Sequence, residues 1–401
     1  MPQGPHRRKQ TGHFKQAKTA AKSLSDDLTS ERSQLTRHPD GLVARTRSII
    51  VVAGNNMKAF VTGGSGYLGR NLLSALLEDN YQLSALSQNS DEDTTIGKVA
   101  LAHPAAIAIN LVRGNVANTE ALRQGMTGCH TVFHLAAKVG MSGCWKDFQA
   151  VTVEGTRNVL KAAQTCGVKR LVHVSSDAVL ASNHGAVHGA DETTPIQLPR
   201  FYAPYTHSKA IAEQLVLAAN LANGSCLSTV VVRPRLVWGK DDTVMLPAVM
   251  KAISAGFYGW FTPTYITSTC HVTNCIECLC LAATKGRPGE VYFVTDGVQL
   301  PFQEFMTRLL VIHGVAVPAH TLPFSVAWKI ATMLEHMPFL HWGKQREAGL
   351  TRQVLSVLGR EVTLSDAKAR EQLGYVGHVT MEQGMQEMQQ LLAVKVADQQ
   401  E

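Results

Sequence analysis

No run of eighteen uninterrupted apolar residues occurs in the 401-residue chain, so no transmembrane helix is expected. Charge is scarce too: only 17% of residues are Asp, Glu, Lys or Arg, against 45% apolar. That balance excludes a disordered chain and allows a sizeable core, in two domains or one large α/β unit. The excess of positive charge is not general. Residues 1–56 hold 10 Lys and Arg against 4 Asp and Glu, and the net charge of +7 falls to +1 beyond them. The body therefore carries no polyanion footprint, and nucleic acid is not an expected partner. The chain is not short and shows no signal peptide, so its eight cysteines (129, 144, 166, 226, 270, 275, 278 and 280) do not read as a disulfide framework. A reducing compartment, the cytoplasm, is expected. The spacing His271–Cys275–Cys278–Cys280 suggests a metal at first sight, but no second ligand pair lies nearby. The segment reads as an amphipathic helix burying Cys275, Cys278 and Leu279, with no metal.

Residues 1–56 are polar and basic with little apolar periodicity, which suits a disordered extension. Asp26, Asp27, Glu31 and Asp40 speak against a transit peptide, although organelle targeting stays open. Met57 is a natural alternative start, because KAFVTGG follows it as a first strand. Beyond it, short apolar runs alternate with helical stretches: QLSALSQ, IAINLVRGN, TVFHLAA, RLVHVSS and TVVVRPRLVWG are strands, and GRNLLSALLEDN, TEALRQGM, VEGTRNVLKAAQTCG and KAIAEQLVLAANLA are helices. This alternation predicts an α/β fold, a doubly wound parallel sheet of the Rossmann type. The sheet is assigned to 57–240 and 270–297, and a smaller C-terminal substrate lobe to 241–269 and 298–401.

Between the first strand and helix stands Gly63-Gly64-Ser65-Gly66-Tyr67-Leu68-Gly69. Glycines at 63, 66 and 69 serve a tight turn, the approach of a pyrophosphate and close helix–strand packing. The helix N-terminus offers free N–H groups to the phosphates. The expected cofactor is therefore NAD(P). The second strand ends in Leu86-Ser87-Gln88-Asn89-Ser90, with no acid before Asp91. The missing acid removes repulsion against a 2′-phosphate, and Arg70 is placed to pair with one, so the reading leans to NADP(H); Asp91 or Asp93 keeps NAD open.

Tyr205 and Lys209 stand four apart at the start of a helix, on one face. A phenol's pKa of about 10 is too high for a proton shuttle near neutrality, and a neighbouring ammonium lowers it. The pair can give a proton to a carbonyl oxygen or take one from an alcohol, which is worth roughly 10²–10⁴ in rate. Ser175 and Ser176 end the strand RLVHVSS, where ligands bind in open α/β sheets.

With these residues in view, the chain resembles the extended short-chain dehydrogenase/reductases over about residues 57–380. The segments that carry the likeness are TGGSGYLG, HLAAKVG, VTVEGTRNVL, VSSDAV, YTHSK, VVVRPRLVWG and HVTNCIECLCLAATKGRPGEVYFVTDG. It is most similar to the 3β-hydroxysteroid dehydrogenase branch, which includes sterol dehydrogenases and reductases of long-chain 2-alkyl-3-oxoalkanoates. The resemblance implies that Ser176, followed by Val179, holds the substrate oxygen. It implies that Tyr205 is the acid/base and that Lys209 bonds the nicotinamide ribose and tunes Tyr205. Gly63, Gly66 and Gly69, with Tyr67, Leu68 and Arg70, form the pyrophosphate loop, while Ala136 and Pro234 join the cofactor set. Two departures stand out: Thr152 replaces a frequent Asn, which puts a relay through that residue in doubt, and Asn115 replaces a frequent Asp, though its amide can still bond adenine and so joins the expected cofactor set.

The expected function is hydride transfer between a nicotinamide cofactor and a secondary alcohol or ketone on a lipophilic substrate, a 3β-hydroxysteroid or a long-chain 3-oxo/3-hydroxy acid. The apolar, aromatic stretch KAISAGFYGWFTPTYI favours a lipid-like substrate, with core packing as the competing reading. A sugar-nucleotide epimerase or dehydratase of the same fold is the first alternative; the dehydratases' Thr-Asp-Glu is absent at Ser175-Ser176-Asp177. A non-catalytic NAD(P)-binding regulator is the second, and such proteins lack the Tyr/Lys pair. PFSVAWKIATMLEHMPFLHW (323–342) reads as a packed lobe helix, with peripheral membrane contact as its alternative. A homodimer is a further expectation.

Overall fold

The computed structural model describes residues 57–103, 108–141, 143–181, 185–196, 202–256, 258–336 and 350–398. The extension 1–56, and residues 337–342 of the apolar segment, lie outside the described residues.

The main sheet is built from β1 (Lys58–Thr62), β2 (Gln82–Ser87), β3 (Asn110–Arg113), β4 (Thr131–His134), β5 (Arg170–Val174), β7 (Ser228–Pro234) and β12 (Val291–Val294). Its order is β12-β7-β5-β4-β1-β2-β3, and every neighbouring pair is parallel. The sequence direction of the order reverses between β1 and β4, and this switch point opens the crevice where α/β sheets bind ligands. All seven residues of β7 and all four of β4 are buried, as expected of strands covered on both faces.

One face is covered by α1 (Tyr67–Glu78), α2 (Ser90–Ala102) and α8 (Val272–Lys285). Leu72, Leu73, Leu76 and Leu77 recur at helical spacing along α1 and are buried. Cys275, Cys278 and Leu279 of α8 are fully buried in the same core, where the thiols pack as small hydrophobes. The other face carries α3 (Thr119–Met126), α5 (Gly155–Thr165) and α6 (Pro204–Ala218). A short α4 (Trp145–Phe148) runs into α5 through a π-helical stretch, Gln149–Glu154, which sequence periodicity did not anticipate.

A second, four-stranded sheet has the order β13-β10-β15-β6, from Gln299–Pro301, Ile266–Ser268, Val362–Leu364 and Val187–Ala190. Strand β6 thus belongs to the small sheet although it falls inside the 57–240 range assigned to the large one. Around it lie β8 (Val237–Trp238), α7 (Met245–Ser254), β9 (Trp260–Thr262), β11 (Cys270–His271), α9 (Phe302–Ile312), β14 (Thr321–Pro323), α10 (Phe324–His336), α11 (Arg352–Leu358), α12 (Ala367–Leu373) and α13 (Met381–Asp398). Trp260 and Tyr265 are buried in this part's core, Tyr265 stacked on Phe302 at 5.2 Å. These aromatics of the 241–269 stretch are spent on packing, so they no longer argue for a lipid-like substrate. Helix α10 packs Ala327 and Ala331 with Leu355 of α11, and leaves Val326 and Met333 exposed.

Candidate active site

The glycine turn leaves β1 with Gly63 at φ +76°, a region that side chains disfavour. A Cβ there would lie 2.8 Å from the Ala136 nitrogen, and one at Gly69 only 2.0 Å from the Gly63 carbonyl oxygen. The turn, the end of β4 and the first turn of α1 are thus locked together at van der Waals distance. Gly66, by contrast, is exposed; a Cβ there would meet only the Gly63 carbonyl, at 3.3 Å. Gly66 is also the N-cap of α1 and supplies no side-chain acceptor, so the helix N-terminus meets open space beside the turn. A closed cradle with one open side and unpaired N–H groups fits a pyrophosphate. Tyr67 and Leu68 enter α1 from this turn, Tyr67 buried and Leu68 half-buried.

Arg70 does not stand clear for a 2′-phosphate. Its guanidinium donates to the Ser65 carbonyl at 2.9 Å and to the Asp241 carbonyl at 3.2 Å, bracing the turn. The end of β2 is occupied differently from expectation. Ser87 Oγ donates to Asp93 Oδ1 at 2.6 Å, and Asp93 is ion-paired with Arg113, which lies opposite Ser87 in the β2–β3 register. Asn115 is exposed beyond β3, its Oδ1 accepting the Ala117 N–H at 2.9 Å. Pro234 closes β7 and is buried.

At the end of β5 the chain places Val174, Ser175 and Ser176 against the first turns of α6. Tyr205 and Lys209 both lie on α6, which starts at Pro204, earlier than its apolar pattern suggested. Proline suits this first helical position because its missing N–H is not needed there. The Ser176 hydroxyl, which donates to Asp177 Oδ1 at 3.2 Å and accepts the Ala178 N–H at 3.1 Å, lies beside the Tyr205 phenol. Burial pushes the Tyr205 phenol up to about 12, opposed by the neighbouring Ser176 hydroxyl, with the Asp177 charge raising it further. The Lys209 ammonium donates to the Val174 carbonyl at 2.9 Å; burial lowers its pKa to about 8, and Glu213 opposes the fall. Ser176, Tyr205 and Lys209 thus come together at the C-terminal edge of the sheet.

Three buried groups behind this cluster escaped the sequence reading. Glu213, one helical turn beyond Lys209, accepts from Ser175 Oγ at 2.6 Å and is paired twice with Arg233. Asp177, next to Ser176, is paired with buried Arg235. The spacing Lys209–Glu213 was a readable signal; the arginines, 20 and 58 residues from their partners, were not. His134 links Thr62 Oγ1 at 2.8 Å to Thr156 Oγ1 at 2.9 Å, and burial, helped by the Lys209 charge, holds it near 3 and therefore neutral. Thr152, in the π-helical stretch, accepts the Lys138 N–H at 3.0 Å on its hydroxyl, and its carbonyl accepts from Thr156 Oγ1 at 2.6 Å. Aromatic pairs lie on the elements next to Tyr205. Phe148 lies edge-on to Tyr205 at 6.3 Å between ring centres, Trp145 meets His207 at 4.8 Å, and Tyr202 meets Trp328 of α10 at 5.8 Å.

A Rossmann sheet with a glycine turn at its switch point and a Ser–Tyr–Lys cluster at the neighbouring strand end defines an NAD(P)-dependent oxidoreductase of the extended short-chain dehydrogenase/reductase type. Residues 60–324 match the model of the 3-beta hydroxysteroid dehydrogenase/isomerase family, and the chain belongs to that family. It is 41% identical over 338 residues to a 4-hydroxy-2-methyl-3-oxo-4-farnesyl-3,4-dihydroquinoline-1-oxide ketoreductase from Stigmatella aurantiaca, covering 83% of this chain and 96% of that protein. It is 31% identical to a 2-alkyl-3-oxoalkanoate reductase from Stenotrophomonas maltophilia, over 83% of this chain and 98% of that one. In fold it is similar to a UDP-glucuronic acid 4-epimerase from Bacillus cereus solved with NAD, with a TM-score of 0.62 and 18% identity over 84% of this chain and 99% of that one. The oxidoreductase class expected from the Tyr/Lys pair and the glycine turn therefore holds.

Proposed function

We propose that the protein interconverts a ketone and a secondary alcohol on a lipophilic substrate, a long-chain 3-oxo/3-hydroxy acid or a 3β-hydroxysteroid, with reduction as the favoured direction. The observation that carries this reading is the convergence of Ser176, Tyr205 and Lys209 at the end of β5, with the Lys209 ammonium anchored on the Val174 carbonyl and the Tyr205 ring against Phe148. The two relatives act, by name, on a farnesylated ketone and on 2-alkyl-3-oxoalkanoates, and both names describe reduction.

The bound dinucleotide supplies or accepts the hydride. Gly63, Gly66 and Gly69 would hold its pyrophosphate on the N-terminus of α1, with Ala136 and Pro234 along the crevice. Ser176 Oγ bonds the substrate oxygen and aligns it with the phenol. Tyr205, kept protonated by burial at neutral pH, donates its proton to the ketone oxygen as hydride arrives at carbon. Lys209, as an ammonium, would bond the nicotinamide ribose and stabilise the phenolate left behind. Val174 fixes Lys209 through its carbonyl, and Glu213 favours its charged form.

NADP(H) is the proposed cofactor. The half-exposed guanidinium of Arg113, in register with Ser87, supports this, with a 2′-phosphate displacing the Asp93 carboxylate that now holds both Ser87 and Arg113. Helix α10, with Val326 and Met333 exposed beside Lys329, is the proposed surface for peripheral membrane contact. Among the described residues no helix is long and apolar enough to cross a membrane.

The test is a turnover panel of 3-oxo acids, 3β-hydroxysterols and sugar nucleotides, each with NAD(H) and NADP(H). Turnover confined to sugar nucleotides would replace this reading with the epimerase/dehydratase one. That alternative has only the fold of its structural neighbours behind it.

A further inference from the structure

Helix α6 starts without a cap of its own. Ala203 stands at the N-cap position and offers no side-chain acceptor, and Pro204 has no N–H. The first N–H the helix presents is that of Tyr205. It is accepted at 2.8 Å by Oε1 of Gln353, a residue 148 positions further on, in α11. The other end of the same amide, Nε2, donates to the Met141 carbonyl at 2.9 Å, in the loop between β4 and α4. Gln353 is 2% exposed, so neither bond has water as a ready substitute. The amide's orientation follows from its partners, because an N–H needs the oxygen and a carbonyl needs the nitrogen.

The two contacts converge on one group. Tyr205 is held at its backbone by Gln353, and its ring lies against Phe148, in the helix that follows the Met141 loop. One buried amide therefore fixes both the anchor of the phenol and the segment that walls it. We propose that Gln353 is a positioning residue for Tyr205. It acts from the C-terminal part of the chain as the distal cap of α6, and sets the phenol against Ser176 without touching the reacting atoms. This rests on Tyr205 being the acid/base.

The test compares Gln353→Met, of similar length but without polar atoms, with Gln353→Glu, which in this buried place is neutral and so keeps both an acceptor for the Tyr205 N–H and a donor for the Met141 carbonyl. Because misplacement by about 1 Å can cost up to ~10²-fold in rate, Gln353→Met is expected to lower kcat about tenfold. The dinucleotide Kd, read by fluorescence titration, is expected to stay within about twofold. Gln353→Glu is expected to restore kcat to within about threefold of the parent. If Gln353→Met does not fold, Gln353→Ala, whose cavity admits water, takes its place. An unchanged kcat in Gln353→Met, or Gln353→Glu no faster than Gln353→Met, overturns the proposal. A Tyr205→Phe control separates the two layers: if it is active, the acid/base reading itself fails. If it is dead while Gln353→Met turns over normally, only the positioning role fails.

Discussion

Replacing Glu213 by Gln tests whether the charge behind the cluster sets the working pH range. Lys209 and Glu213 are side-chain neighbours on one face of α6, about 6 Å apart at this spacing. At an effective dielectric of about 20 a full charge at that distance is worth about 3 kcal/mol, or about two pKa units. Arg233 clamps the same carboxylate and offsets part of its field, so about one unit is a fair net figure. The sign follows from the ammonium. Burial lowers Lys209 to about 8 and Glu213 opposes it, so removing the carboxylate lowers Lys209 further. Activity that needs the ammonium is present below the Lys209 pKa and lost as pH rises through it. The basic limb of kcat/KM should therefore move from near 8 in the parent to about one unit lower in Glu213→Gln. Breaking a buried pair also destabilises, by about 3–5 kcal/mol, so thermal denaturation must accompany the kinetics. The companion Glu213→Gln/Arg233→Met removes the stranded guanidinium and should bring the limb back towards its original place. A folded Glu213→Gln protein whose basic limb stays put would refute the electrostatic coupling.

The glycine turn gives a paired prediction. Gly69→Ala puts a methyl 2.0 Å from a backbone oxygen and should abolish dinucleotide binding or folding, whereas Gly66→Ala, at 3.3 Å, should keep the fold and weaken binding, both read by fluorescence titration and circular dichroism. At the end of β2, Arg113→Ala should raise the Kd for NADPH about tenfold or more and leave that for NADH nearly unchanged; equal effects on both would remove Arg113 from cofactor choice.

The sheet was legible because its central strands β1, β4, β5 and β7 are buried on both faces and read as short, mostly apolar runs, with the glycine turn between the first strand and helix. The Ser–Tyr–Lys set was legible because each member sits on a local signal, a strand end or a helical spacing of four. What escaped depends on long-range pairing. Strand β6 is four residues long with only Val187 and Ala190 buried, so it showed no strand pattern, and its partner β15 lies more than 170 residues away. Arg70 was read as a phosphate ligand from its place after Gly69, but the carbonyls of Ser65 and distant Asp241 engage it first. The aromatics at 258–265 could not be divided between pocket and core by composition alone, and packing against α9 placed Trp260 and Tyr265 in the core. Gln353 carried no signal at all, since its role lies in two backbone atoms 148 and 212 residues away.

The most direct test of the account is single-turnover reduction of a 3-oxo substrate by the cofactor-loaded Tyr205→Phe variant, compared with the parent. Phenylalanine keeps the ring against Phe148 and removes only the hydroxyl, so dinucleotide binding should persist while the chemical step slows by roughly 10²–10⁴. Hydride transfer at the parent's rate in that variant would contradict the assignment of Tyr205 as the proton donor.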